Sequence, residues 1–182
     1  LGWRARAPEP AWSAFTQLTD ASGVETSPSI SPDGESFVYV SSARGTADIY
    51  SQRVGGRNPT LVVGDSTVDE LWPAYSPDGK QIAYNVADGG IFIVGATGES
   101  PRRLTMVGVQ PSWSPDGTQI VYATGEAGSA YYIQGGIALA IASVSGGTPR
   151  PLNVILPTGG TGSHQPSWSP SGARIAFGGI VN

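Results

Sequence analysis

The sequence predicts an all-β fold of short antiparallel sheets, and three observations carry that reading. Glycine and proline are abundant, with 26 Gly and 15 Pro, while only 13% of residues are charged and there is a single Met. That composition suits many short strands joined by tight turns and does not suit long helices. Next, a tetrapeptide recurs: Ser31-Pro32-Asp33-Gly34, Ser76-Pro77-Asp78-Gly79, Ser114-Pro115-Asp116-Gly117 and Ser169-Pro170-Ser171-Gly172. Its prolines lie about 45, 38 and 55 residues apart, a spacing typical of stacked repeat units. Finally, an apolar alternating run follows each tetrapeptide, the period-2 pattern of a strand.

Each unit is built from the same parts. A short first strand ends at the turn serine: Pro28 to Ser31, Pro73 to Ser76, Pro111 to Ser114 and Pro166 to Ser169. In the turn itself, proline fixes φ at the first position and the aspartate bonds the local backbone, while glycine takes the positive φ that closes the hairpin. Asp33, Gly34, Asp78, Gly79, Asp116, Gly117 and Gly172 are therefore structural turn residues. Each aspartate stands alone in its turn, without the clustered carboxylates that calcium requires.

A second strand follows: Phe37 to Val40, Ile82 to Tyr84, Ile120 to Tyr122 and Ile175 to Phe177. A third run, Ile49 to Val54, Ile91 to Val94 or Ile137 to Val144, leads through a turn to a short fourth strand at Thr60 to Val63, Arg103 to Thr105 or Arg150 to Leu152. Four strands make one sheet, and one sheet cannot hide both faces from water. Neighbouring units must stack, so Ile30, Tyr75, Trp113 and Trp168 are expected to pack between them. The architecture this predicts is a β-propeller of four-stranded antiparallel blades.

The stretches Pro111 to Thr124 (PSWSPDGTQIVYAT) and Pro73 to Val86 (PAYSPDGKQIAYNV) resemble the WD-repeat-like propeller units of TolB-type proteins, and the resemblance extends over nearly all of Phe15 to Gly178. It implies a six- to eight-bladed propeller of which this chain is a part. Residues 1–14 are expected to form a linker or juxtamembrane tail, with a partial propeller over 15–182. Its blades would occupy about 27–63, 72–105 and 110–152, with an incomplete fourth at 165–182. Phe15 to Thr19 reads as a closing strap equivalent to a fourth strand.

The resemblance also implies a periplasmic or otherwise extracytoplasmic interaction module of a larger bacterial protein, binding a protein or peptide partner or sensing a ligand. Its alternative is the substrate-gating propeller of a prolyl-oligopeptidase-like serine peptidase whose catalytic domain lies elsewhere. Within this chain there is one His and no Gly-x-Ser-x-Gly elbow, so no serine triad is legible. Without cysteine, and with that single His, a His/Cys zinc cage cannot form. Gly159 to Gly162 lacks the Lys-Ser/Thr of a phosphate loop. No catalytic residue, metal or cofactor is expected.

A formal net charge of -4 gives no positive field for nucleic acid. No apolar stretch approaches the roughly 20 residues that span a bilayer, although Trp3, Arg4 and Arg6 would suit the end of an upstream anchor. Open blade faces would favour self-association. Binding is expected on the irregular loop end, where Glu25, Asp69, Glu70, Asp88, Tyr131, Tyr132 and His164 would gather around the inner mouth and recognise a basic or peptide partner.

Overall fold

The computed structural model describes residues 15–64, 67–124, 126–129, 132–134, 138–153 and 161–180. Among these there is no helix, and the strands group into three four-stranded and two two-stranded antiparallel sheets. The first sheet runs β1 (Glu25–Ile30), β2 (Ser36–Ser41), β3 (Asp48–Arg53) and β4 (Thr60–Val63). The second runs β5 (Glu70–Tyr75), β6 (Gln81–Val86), β7 (Gly90–Gly95) and β8 (Arg102–Arg103).

In the third, β9 (Val109–Trp113) and β10 (Gln119–Ala123) are separated in sequence from β13 (Leu139–Ser143) and β14 (Arg150–Leu152). The intervening stretch, expected as a loop, pairs with itself as a hairpin of β11 (Glu126–Ser129) and β12 (Tyr132–Gln134). The last sheet pairs β15 (Thr161–Trp168) with β16 (Ile175–Ile180). Residues 15–20 form no strand; the strap touches the first sheet where buried Gln52 donates from Nε2 to Leu18 O at 2.7 Å and Gly56 O at 2.8 Å.

The tetrapeptide builds its turn with both side chains. Ser31, Ser76 and Ser114 each donate from Oγ to the aspartate two residues on, at 2.6, 2.7 and 2.6 Å. The same hydroxyls accept the N–H of Ser36, Gln81 and Gln119, closing the first rung of the hairpin. Gly34, Gly79, Gly117 and Gly172 hold φ between +71° and +74°, open to glycine without cost. A Cβ on Gly79 would stand 3.4 Å from Pro32 Cδ, and on Gly117 3.8 Å from Pro77 Cδ, so each turn rides under the proline of the one before. In the fourth turn, with Ser171 for aspartate, the side chains meet less closely, at 3.2 Å.

Between consecutive sheets lie the apolar clusters that hold the stack. Val38, Val40 and Ile49 pack against Ile82, Tyr84 and Val94. Ala83 and Ile93 meet Trp113 and Ile120, and Trp113 also donates from Nε1 to Ala74 O at 2.9 Å. Val109, Val121 and Leu139 meet Trp168 and Ile175. Tyr75, Trp113 and Trp168 thus pack against the preceding sheet. Ile30 does not: it is 65% exposed, because no sheet among the described residues covers that face of the first one.

Two outcomes are expected from this architecture. Trp113→Ala removes a ring wedged between two sheets and a buried hydrogen bond, and lowers stability by about 3–5 kcal/mol in urea denaturation; a loss below about 1 kcal/mol would show that the joint does not depend on it. The turn carboxylates of Asp33, Asp78 and Asp116 are held below their usual value of 3.8, first by the serine hydroxyl and then by backbone N–H groups. A lowered folded pKa contributes stability above the unfolded value and loses it as pH falls through the folded one. Melting temperature should therefore drop as pH falls below about 3.8, and replacing all three aspartates with Asn should flatten that drop.

Candidate functional site

The first strand of each four-stranded sheet, and of the β15–β16 pair, carries the same irregularity. Ser27, Trp72, Gln110 and Gln165 each precede a proline, and each has a positive φ, at 52°, 49°, 56° and 49°. The pairing register slips at these places, between Thr26 and Ser29, Leu71 and Ala74, and His164 and Ser167 on the first strands themselves. In the third sheet it slips between Val121 and Ala123, opposite Gln110. A non-glycine residue in this conformation costs of order 1–3 kcal/mol. Four repetitions mark a feature built into the unit, and bulges of this kind re-aim side chains.

The bulged strands lie side by side in the order β1, β5, β9, β15 and so line one interior surface. Ser29 Oγ accepts Tyr75 N–H at 3.1 Å, and Gln110 Oε1 accepts Gln165 N–H at 2.7 Å, tying neighbours together along it. Trp72, half-buried, packs against the cluster between the first two sheets and also against the one built on the third. The four left-handed residues, Ser27, Trp72, Gln110 and Gln165, therefore occupy matching positions on adjoining strands.

Beside them the connection from β8 to β9 projects Met106 and Val107, 68% and 51% exposed. It is held firmly from beneath. Buried Thr105 accepts Ile91 N–H at 3.0 Å and donates to Val107 O at 2.7 Å. A Cβ on Gly90 would overlap Thr105 O and Met106 C, so the turn before β7 fits against this knob only with glycine there.

Among the described residues, those expected around the mouth occupy several different places. Glu70 is buried in the joint between the first two sheets, where its N–H donates to Ala47 O at 2.7 Å. Tyr84 shares that joint, and burial followed by the Glu70 carboxylate pushes its phenol up to about 12. Glu25 occupies the equivalent place on the first sheet, beside Tyr39, whose phenol is raised by burial and then by Glu25. Asp69 is half-buried and its Oδ1 accepts Ala47 N–H at 2.9 Å, docking the second sheet to the first.

Asp88 is exposed but takes φ 56° in the turn between β6 and β7, a conformation Asp tolerates better than most. His164 lies over Gly178, its cross-strand partner. Tyr131 is outside the described residues, and Tyr132 is placed on β12. Among the described residues no group of three or more His, Cys, Asp and Glu could hold a metal ion, and no helix is long and apolar enough to cross a membrane.

A family model described as the TolB beta propeller domain matches residues 9–133. A TolB-type protein of Agrobacterium tumefaciens has a similar structure, with TM-score 0.70 and 25% identity over 88% of this chain and 61% of its own. TolB from Acinetobacter baumannii matches with TM-score 0.67 and 20% identity over 85% of this chain and 37% of its own. A puromycin-hydrolysing peptidase of Mycobacterium tuberculosis matches with TM-score 0.66 and 19% identity, over 88% of this chain and 26% of its own. The chain thus spans about three-fifths of the length of the Agrobacterium protein.

The strain at the bulges is testable on stability alone. Ser27→Gly should leave the denaturation midpoint unchanged or raise it, since glycine reaches φ 52° freely. Ser27→Val should lower stability by about 1–3 kcal/mol, because a β-branched side chain resists that conformation. Equal effects of the two substitutions would show that the backbone there is not strained.

Proposed function

The chain belongs to the TolB beta propeller domain family, and from that premise we propose that it is a non-catalytic interaction module that binds a protein or peptide partner through the loop end of its bulged strands. The observation that carries this is the left-handed residue repeated at Ser27, Trp72, Gln110 and Gln165. The same left-handed backbone in all four units sets these residues at matching positions on adjoining strands, in the part of the chain that also carries the exposed pair Met106 and Val107. An indole and two amides suit a polypeptide: the ring supplies area with little entropy to lose, and amides both donate to and accept from a backbone.

The module works within a larger extracytoplasmic protein of bacterial type. Its likeness to the mycobacterial peptidase, at 19% identity, is one of fold and assigns no hydrolysis to this chain.

The test is site-specific photocrosslinking. A benzophenone amino acid at position 106 or 110 should capture a defined partner from an extract of the source cells, whereas the same group at position 80 or 118, in the turns at the opposite end, should not. Capture at both ends alike, or at neither, would overturn the assignment. Trp72→Ala and Gln110→Ala should each weaken capture about tenfold, in line with roughly 1.4 kcal/mol per decade of affinity.

A further inference from the structure

Asn85, on β6, is a polar side chain set in an apolar joint. It is fully buried, and neither its Oδ1 nor its Nδ2 has a hydrogen-bond partner among the described residues. Its cross-strand neighbour on β7 is Ile91, which packs against Tyr122, Ala140 and Ala142 of the third sheet. Ala83, two residues earlier and so on the same face, meets Trp113 and Ile120. The Asn85 amide therefore lies in the joint between the second and third sheets.

The other sheets show what this position asks of a side chain. At the same register, opposite Ile49 and Leu139, stand Val40 and Ala123, and both are buried in apolar clusters. An amide is therefore not needed to complete the sheet. It is also costly there, because an amide taken out of water and left unpaired in an apolar interior is destabilising. The joint around it is built with small side chains. Phe92 and Val94, opposite Tyr84 and Ile82, pack into the joint between the first two sheets. At their places in the third sheet, opposite Tyr122 and Ile120, are Ala140 and Ala142. On the neighbouring strand, Trp72 and Pro73 lie between the pairs Leu71–Asn85 and Ala74–Ala83, opposite Tyr84 alone. A bulge of this kind leaves its extra residue out of the ladder, so backbone beside Asn85 is released from strand pairing.

We propose that Asn85 binds an internal water in the joint between the second and third sheets, which accepts from Asn85 Nδ2 and donates to Oδ1 or to backbone released at the bulge. The ligand is water because both ends of the amide need a partner, and water donates and accepts alike. A metal cation would serve Oδ1 and oppose the Nδ2 hydrogens, and an anion would do the reverse. The site is closed to the surface, so its water exchanges only when the two sheets part. The binding of a partner at the loop end does not depend on it.

The test is made on the full chain, isotope-labelled for nuclear magnetic resonance. The side-chain amide protons of Asn85 should give cross-peaks to the water resonance with the sign of dipolar relaxation, which marks a bound water, and not with that of proton exchange. Relaxation dispersion of the water oxygen should then count about one long-lived water fewer in Asn85→Val, a change to the residue type that the first sheet carries at this position. Should that variant not fold, the cross-peaks of the unaltered chain decide the matter. Asn85 amide protons without a water cross-peak would overturn the proposal, as would an equal count of long-lived waters in the two folded proteins. So would a crystal structure with protein donors and acceptors within about 3.2 Å of both amide atoms. Density at the site ringed by oxygen atoms at roughly 2.4 Å would also refute it, since the occupant would then be a metal ion.

Discussion

A four-stranded sheet with apolar residues on both faces is stable only when something lies against each of them, and this requirement governs the whole molecule. Sheet stacks on sheet through Val38, Ile82, Ala83, Ile93, Val121 and Ile175. Aromatic residues at one repeated position are wedged into each joint. Burial at about 25 cal/mol per Å² is the force, and it acts between units as much as within them. The turns, the strap and the bulges are then solutions to one problem: how to set successive sheets side by side around an interior surface without leaving backbone groups unpaired.

The parts of this plan that follow from local chemistry were legible in the sequence. Ser-Pro-Asp-Gly has one good conformation, so its recurrence marks the hairpins, and the alternating runs after it mark the second strands. Packing of Tyr75, Trp113 and Trp168 followed from the same alignment, and Ile30 departed from it only because its face meets no neighbouring sheet among the described residues. The hairpin of β11 and β12 was harder to read, since two short strands that pair only with each other leave no periodic signal.

The bulge was illegible for a different reason. A residue before proline is ordinarily pushed toward extended geometry, so nothing in Ser27-Pro28 or Gln110-Pro111 announces a left-handed backbone. Yet that one feature reorders the candidate site. An extra residue in a strand shifts the alternation of everything before it. Glu70, which precedes the slip, therefore enters the joint with Tyr84 where a mouth residue was expected, and Glu25 takes the matching place beside Tyr39. The residues that do face the interior, Trp72 and Gln110 among them, looked like ordinary strand members.

The arrangement of Gly79 beneath Pro32, Gly117 beneath Pro77 and Gly172 beneath Pro115 makes the second and third turns each both a lid and a seat. A unit copied whole carries both halves of that fit, so it can be inserted between two others, or removed, without redesigning either neighbour. Gene duplication can therefore lengthen or shorten such an array one unit at a time. Point changes are less free: a side chain in place of Gly79 strains its own hairpin, which holds φ +71°, even though its Cβ would meet Pro32 only in ordinary contact.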